Sequence, residues 1–212
     1  MALGKEYTTD RIRNIVVLGH GGSGKTSLIE ALCFVSGTSS RHGEVDNGTA
    51  LTMHTPEEHA HEISIQMTPA YAEHNGVKVN LLDTPGYLDF TGEALSAVRV
   101  ADAAIIVVSA TSGIEVGTER VWEYCEARGI PRIIFVSMMD KEHADFDGMF
   151  QQIKKLTDSA LPVEVPIGEG PAFEGIINLF SEKAHIYKKG TTKGEYDEGA
   201  IPEDLQDKGA EW

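Results

Sequence analysis

The residues whose types and spacing are best suited to chemistry form the loop GHGGSGKT at positions 19–26. Its glycines allow the backbone to turn so that successive N–H groups point at phosphate oxygens, and the helix expected after it presents a positive N-terminus. Lys25 is predicted to reach the β- and γ-phosphates, and the Thr26 hydroxyl to bind Mg²⁺. The alternative is a chance glycine-rich turn. The predicted nucleotide contacts are Gly19, His20, Gly21, Gly22, Ser23, Gly24, Lys25 and Thr26.

A second motif, Asp83-Thr84-Pro85-Gly86, directly follows the apolar segment VKVNLL. A carboxylate at the C-terminal end of a strand can hold a metal ion through water, and the Gly86 N–H can face a γ-phosphate. DTPG alone is also compatible with an ordinary turn. Because it occurs together with the upstream loop, we predict that these four residues and Tyr87 line the nucleotide site.

A third motif, Ser137-Met138-Met139-Asp140, follows the apolar run RIIFV and therefore lies at the same edge of the predicted sheet. Asp140 can accept hydrogen bonds from the N1–H and exocyclic amine of guanine, which adenine does not offer in that pattern. The alternative is an aspartate that caps a turn. Since the first motif alone does not select a base, an ATP-using phosphotransferase is a further hypothesis.

The first motif lies between a predicted strand and a predicted helix. The run NIVVL at 14–18 is rich in β-branched residues and predicts a strand, and residues 25–35 predict the helix. Residues 37–61 are polar and lack a steady period, which indicates a long mobile loop. Alternation at 63–67 predicts a half-buried strand that forms a hairpin with a strand at 77–82.

Further along the chain, apolar strands alternate with helical segments. The strands are predicted at 103–108 and 132–136, and the helices near 94–100, 117–127 and 146–156. This alternation implies a mostly parallel sheet, to which the hairpin adds one antiparallel strand. The predicted fold class is therefore α/β, a P-loop nucleoside triphosphatase with helices on both faces of the sheet.

The pattern changes near the end of the last of these helices. Prolines and glycines interrupt it, and short alternating segments at 175–179 and 184–187 predict strands. We predict a nucleotide-binding core at 1–157 and a small β-containing extension at 158–212.

Composition and charge argue against several classes of function. The 212 residues include 18 basic and 33 acidic residues, which give a formal net charge of −15. This charge repels a phosphate backbone over most of the surface, so we expect no direct DNA contact. The two cysteines form no CxxC motif and favour a reducing compartment, and no apolar run is long enough to cross a bilayer. We therefore expect a cytoplasmic monomer without membrane contact.

Two other groups of side chains are weaker candidates. Several glutamates lie near three histidines, His54, His59 and His61, and a His-x-His pair can bind a metal. These residues lie in the predicted mobile loop, however, and such a loop is polar without any metal site. Arg41 has the chemistry of an arginine finger, although a lone loop arginine is more typical of a surface.

The three motifs, in this order and with DTPGYLDF and FVSMMDKEHADF around the last two, resemble the GTPase domain of the elongation factor G family of translational GTPases. The resemblance runs from about Arg11 through VPIGEGPAFEGIINLFSEKAHIY to IPEDLQDKGAEW, and so covers nearly the whole chain. It implies that residues 158–212 are the start of a small α/β subdomain that the family inserts into its GTPase domain. Family members are much longer, so the chain is expected to be an N-terminal part of one. It ends before the family's last guanine-contacting motif, a Ser-Ala stretch.

The resemblance implies a GTP-binding domain that hydrolyses GTP to GDP and phosphate as a conformational switch. It also implies Mg²⁺ as cofactor and the ribosome as partner of the full-length protein. On the family's pattern, Thr26, Ser64 and Asp83 would hold the metal, Lys25 would act in catalysis and Asp140 would read guanine.

Three positions depart from the family's pattern. Tyr87 stands where the family has a histidine that positions the attacking water, and a phenol cannot take the positive charge of an imidazole. Ser137-Met138-Met139-Asp140 replaces Asn-Lys-x-Asp, which removes a neutral hydrogen bond but keeps the charged acceptor. His61-Glu62-Ile63-Ser64 replaces Arg-Gly-Ile-Thr, so the switch hydroxyl loses the methyl group that restrains it.

Together these departures resemble elongation factor G-like paralogues that occur beside a true translocase. They leave an alternative function open. Because Tyr87 replaces the histidine, the chain could be a GTP-dependent binding module with little or no hydrolysis.

Overall fold

The computed structural model describes residues 5–206, without the side chain of Asp204. The chain divides into two compact units. Among the described residues, the first unit comprises 5–108 together with Glu115–Ser137, and the second comprises Ser109–Ile114 and 138–206. The predicted limit of the nucleotide-binding core at residue 157 stays a prediction.

The first unit is built on a five-stranded sheet with the order β2-β3-β1-β4-β5. Strand β1 is parallel to both β3 and β4, and β2 is antiparallel to β3, so the sheet is mostly parallel with one antiparallel strand, as predicted. The strands are β1 Ile12–Gly19, β2 Thr68–His74, β3 Val77–Asp83, β4 Ala103–Ser109 and β5 Arg132–Ser137.

Helices cover both faces of this sheet. On one face, α1 packs Ile29 and Cys33 against Val17, Leu81 and Val107. Val16 and Leu18 alternate with Val17 and point to the opposite face, where α3 and α4 contact β1 and each other. The helices are α1 Lys25–Val35, α2 Pro56–His61, α3 Thr91–Val100, α4 Val116–Arg128 and α5 Phe146–Leu156, of which α5 belongs to the second unit.

The predicted strand at 63–67 is wrong, because the first strand of the hairpin begins five residues later, at Thr68. The backbone N–H groups of residues 65–67 donate to glutamate carboxylates instead of to a neighbouring strand. Pairing with β3 starts only where Thr68 lies opposite Asp83. The turn of the hairpin is at Asn75 and Gly76, both with positive φ.

The loop predicted at 37–61 contains a short helix, α2. Thr55 accepts a hydrogen bond from the Glu58 backbone N–H, and the Glu58 side chain accepts one from Thr55, which makes a capping box with Pro56 at the first helical position. The sequence Thr-Pro-Glu-Glu carries this signal, and the helix could have been predicted from it.

The second unit contains α5 and a four-stranded antiparallel sheet with the order β6-β7-β8-β9. The predicted strands at 175–179 and 184–187 correspond to β7 and β8. The prediction missed β6, which contains a proline, and β9, which is polar and exposed throughout. The strands are β6 Glu164–Ile167, β7 Gly175–Asn178, β8 Lys183–Tyr187 and β9 Tyr196–Ala200.

Among residues 5–206, no helix combines the length and the apolarity needed to span a bilayer.

Candidate nucleotide site

The loop GHGGSGKT joins the end of β1 to the start of α1. Gly19, with a φ of 145°, lies so close to β4 that a Cβ atom there would collide with the carbonyl oxygen of Val107. Gly24, the N-cap of α1, has a φ of 93° and no side chain to cap the helix. The first N–H groups of α1 are therefore left without a side-chain cap, which is the arrangement that binds anions at a helix N-terminus.

Lys25 is the first residue of α1, and its side chain is buried against the loop. Its residue exposure is 6%, and Nζ donates a hydrogen bond to the carbonyl oxygen of His20 at 2.8 Å. Burial lowers the pKa of Lys25 to about 8, although the charge of Asp83 acts in the opposite direction. A phosphate oxygen beside this ammonium would favour the charged form that burial disfavours.

The three predicted metal ligands, Thr26, Ser64 and Asp83, come together in the structure. Thr26 Oγ1 donates to Asp83 Oδ2 at 2.8 Å and lies 3.2 Å from Ser64 Oγ. Thr52, which the sequence analysis did not single out, also donates its hydroxyl to Asp83 Oδ2. Thr26 and Thr52 thus meet Asp83 at one carboxylate oxygen, and Ser64 joins this cluster through Thr26.

Asp83 is 1% exposed, and its second oxygen, Oδ1, is buried without a hydrogen-bond partner among the described residues. Burial raises the pKa of Asp83, although the hydroxyls of Thr52 and Thr26 and the charge of Lys25 favour the carboxylate. A buried oxygen without a partner is costly. Hydroxyl and carboxylate oxygens are the ligands that Mg²⁺ prefers, so this donor set fits that ion.

The DTPG motif leaves β3 and passes directly over the phosphate loop. Thr84 is buried and donates its hydroxyl to the carbonyl oxygen of Val17 at 2.7 Å, which fixes the start of the motif, and Pro85 is also buried. A Cβ atom on Gly86 would lie 2.6 Å from the backbone nitrogen of Gly21. Only glycine allows the two loops to approach so closely.

Tyr87 lies at the edge of the same loop. A Cβ atom on Gly21 would lie 3.0 Å from Cζ of the Tyr87 ring, and Tyr87 is 44% exposed. The ring also borders a small open concavity. The other lining residues include Pro85, Gly86, Leu88, Thr91, Arg120 and Tyr124.

His20 directs its ring toward the start of α4. Its Nδ1 accepts a hydrogen bond from the Gly117 N–H at 3.3 Å, and its Nε2 lies 3.5 Å from Glu115 Oε1. The contact predicted between His20 and the nucleotide stays a prediction. The structure shows its ring engaged with α4 and its carbonyl oxygen engaged with Lys25.

The third motif begins at the end of β5. Ser137 donates its hydroxyl to the carbonyl oxygen of Ser23 in the phosphate loop at 2.7 Å. Met138, with a φ of 60°, Met139 and Asp140 belong to the second unit, where Met139 is buried and Asp140 is exposed. The role of this motif in reading a base stays a prediction.

The weaker candidates take no part in this cluster. Arg41 is exposed and donates to the carbonyl oxygen of Thr49 at 3.2 Å, as expected of a surface arginine. His54, His59 and His61 are exposed. Within residues 5–206, no group of three or more histidine, cysteine, aspartate or glutamate side chains is arranged to hold a metal ion.

The chain resembles known proteins along most of its length. A family model described as the elongation factor Tu GTP binding domain matches residues 10–197. Elongation factor G of Thermotoga neapolitana is 38% identical over 199 residues, 93% of this chain and 28% of the relative. Elongation factor G of Chlamydia trachomatis serovar D is 37% identical over 204 residues, 96% of this chain and 29% of the relative.

A solved structure shows the same fold. A crystal structure of a protein from Thermus thermophilus matches with a TM-score of 0.88 and 37% sequence identity, and the match covers 95% of this chain and 30% of that chain. The present chain therefore spans less than a third of the length of these relatives.

Proposed function

Because the chain belongs to the elongation factor Tu GTP-binding domain family, we propose that it binds GTP and GDP and hydrolyses GTP to GDP and phosphate as a conformational switch. The observation that carries the proposal is the convergence of Thr26, Ser64 and Asp83 beside the buried ammonium of Lys25. Such a set of groups binds a phosphate-bound cation and a phosphate at once.

Different residues of the site bind different parts of the triphosphate and its cation. The loop N–H groups and Lys25 bind the β- and γ-phosphates, and the Gly86 N–H faces the γ-phosphate. The oxygens of Thr26, Ser64 and Asp83 would hold Mg²⁺. When bound, this ion neutralises part of the phosphate charge.

Hydrolysis is an in-line attack of water on the γ-phosphorus, in which the bond to the β–γ bridging oxygen breaks. Tyr87, which lies over Gly21 at the edge of the loop, stands where the family's histidine positions that water. A phenol can orient water through hydrogen bonds but cannot carry the charge of an imidazolium. We therefore expect a low intrinsic rate. The comparisons lend no support to the alternative of a binding module without hydrolysis.

We propose that Asp140 reads the base as guanine. The full-length protein is proposed to act on the ribosome in translation, as a cytoplasmic monomer without contact to DNA or membrane. Competition between GTP and ATP for a fluorescent nucleotide tests the base. Equal affinities would refute the role of Asp140.

Single-turnover release of phosphate by the full-length protein, with and without ribosomes, tests the function. We expect slow release alone and faster release with ribosomes, and Lys25→Ala is expected to abolish both. Tyr87→His is expected to raise the rate by about a factor of 10² or more if water positioning limits it. A full-length protein that binds GTP but releases no phosphate on ribosomes would refute hydrolysis.

A further inference from the structure

Glu58, which the proposed site does not use, is one of the most deeply buried charged residues of the first unit. It is 1% exposed, and its carboxylate accepts four hydrogen bonds from backbone N–H groups. Oε2 accepts from His54 and Thr55, each at 3.0 Å. Oε1 accepts from Ile65 at 2.9 Å and from Gln66 at 3.2 Å.

The two oxygens bind the two ends of one segment. His54 and Thr55 precede α2, and Ile65 and Gln66 follow the turn that ends it, so the carboxylate closes residues 54–66 into a loop. The Ile63 N–H also donates to the backbone carbonyl oxygen of Glu58 at 3.3 Å. The residue between these attachment points is Ser64.

Charge makes this attachment strong. Burial alone would raise the pKa of Glu58, but the backbone N–H groups of Ile65, Thr55, His54 and Gln66 together outweigh burial and lower it to about 2. The carboxylate is therefore ionised at neutral pH, and hydrogen bonds to an ionised acceptor are about twice as strong as neutral ones.

We propose that Glu58 is a positioning residue for Ser64, because it holds the backbone on the C-terminal side of Ser64 and so sets the Ser64 hydroxyl 3.2 Å from Thr26 Oγ1. The inference rests on the proposed function, in which the Ser64 hydroxyl serves the cation and the γ-phosphate. It predicts that Glu58 supports binding of the triphosphate more than binding of the diphosphate.

A second carboxylate extends the same attachment to α3. Glu93 Oε2 accepts a hydrogen bond from the Met67 N–H at 2.8 Å. Three consecutive backbone N–H groups after Ser64 thus donate to glutamate side chains, and the glutamate that accepts the third lies on the helix that follows the DTPG motif. Since Glu93 holds a residue further from Ser64, its effect on nucleotide discrimination is expected to be smaller.

The test compares the affinities of GDP and a non-hydrolysable GTP analogue for the full-length protein with Mg²⁺. Glu58→Gln keeps the shape of the side chain but removes its charge and one acceptor oxygen. We expect this variant to bind the GTP analogue about tenfold more weakly or worse, as loss of charged hydrogen bonds implies, and to bind GDP within about twofold of the wild type. Glu57→Gln, on the exposed face of the same helix, is the matched control and is expected to change neither affinity.

The ratio of the two affinities separates positioning from a general structural role. An equal loss for both nucleotides, or no loss for either, overturns the inference while leaving the proposed function in place. A wild-type protein that binds neither nucleotide overturns the proposed function itself and the inference with it.

Amide hydrogen exchange of the wild-type protein decides the question should Glu58→Gln fail to fold. The amides of Ile65 and Gln66 are expected to exchange at least about tenfold more slowly in the GTP-analogue complex than in the GDP complex, as an opening equilibrium coupled to the ligand requires. Equal exchange in the two complexes overturns the inference.

Discussion

The carboxylate of Glu58 should make a large and pH-dependent contribution to folding stability. Its pKa falls from the usual 4.5 to about 2 in the folded protein. At about 1.4 kcal/mol for each pH unit, this difference stabilises the folded state by about 3 kcal/mol at neutral pH. Because the folded pKa is the lower one, the stabilisation is fully present above pH 4.5 and is lost as the pH falls towards 2.

The perturbation that exposes this contribution is Glu58→Gln, which does not ionise. Urea unfolding at pH 7 is expected to show a loss of about 3 kcal/mol relative to the wild type, in addition to any loss from the poorer fit of the amide. At about pH 3 the ionisation part of the difference shrinks to less than half of that, because the wild-type carboxylate no longer gains as much from folding.

The test is how the difference in unfolding free energy between wild type and Glu58→Gln changes with pH. The loss that comes from the poorer fit of the amide is the same at every pH and does not contribute to this change. Glu57→Gln is the control, because Glu57 lies on the same helix but is exposed, and its curve should run close to that of the wild type. A difference between wild type and Glu58→Gln that stays constant between neutral pH and about pH 3 would refute the reasoning. It would mean that the four N–H groups do not favour the ionised form.

Three further experiments test other parts of the structure. Glu62 has a φ of 55° at the C-cap of α2, so Glu62→Gly should raise the free energy of unfolding by about 0.5–1 kcal/mol. Glu57→Gly, inside the helix, should lower the free energy of unfolding by a similar amount. Urea unfolding measures both changes. Gly86→Ala should abolish binding of fluorescent nucleotide, because its Cβ would lie 2.6 Å from a backbone nitrogen, whereas Gly92→Ala, where no atom lies within 4 Å, should bind normally. Burial raises the pKa of Cys125 to about 11. The Cys125 thiol of the native protein should therefore resist iodoacetamide at about pH 8 and react only after unfolding. Rapid labelling of this thiol in the native protein would contradict its burial.

Much of the fold was predictable because the relevant signals are local. The β-branched runs before GHGGSGKT and before Ser137 predicted strands close to those observed, and α1 and α5 begin and end at the predicted residues. In each of these segments, the periodicity of apolar residues agrees with the burial that the sheet imposes. The hairpin turn was predictable for a similar reason, since Asn-Gly favours positive φ at both positions.

The segment from 37 to 67 was harder to predict, because side-chain carboxylates hold its backbone, and two of them lie outside the segment. Alternation at 63–67 imitates a strand, but Glu58 and Glu93 take the N–H groups that a neighbouring strand would need. Glu30 similarly accepts from the N–H groups of Gly43 and Leu51, which attaches the start of this segment to α1. The sequence around a glutamate does not indicate which backbone N–H groups its carboxylate will bind.

Within the site, the predicted metal ligands Thr26, Ser64 and Asp83 lie close together, and their role in holding an ion stays a prediction. The proximity of Thr26 and Asp83 follows from two motifs at one sheet edge. Thr52 was missed, since a threonine in an aperiodic polar loop has no distinguishing pattern. The contacts of the His20 ring with the start of α4 were not predicted either, because those partners are far away along the chain.

The two oxygens of Asp83 differ in their hydrogen bonds, and an isosteric replacement would distinguish their contributions. Oδ2 accepts from Thr26 and Thr52, so in Asp83→Asn that position must be taken by the amide oxygen, and the NH₂ group must then replace Oδ1. The variant would keep its contacts with both threonines and fold, while presenting a donor where the free carboxylate oxygen now lies. On the proposed function, Asp83 serves folding through Oδ2 and the Mg²⁺ ion through Oδ1.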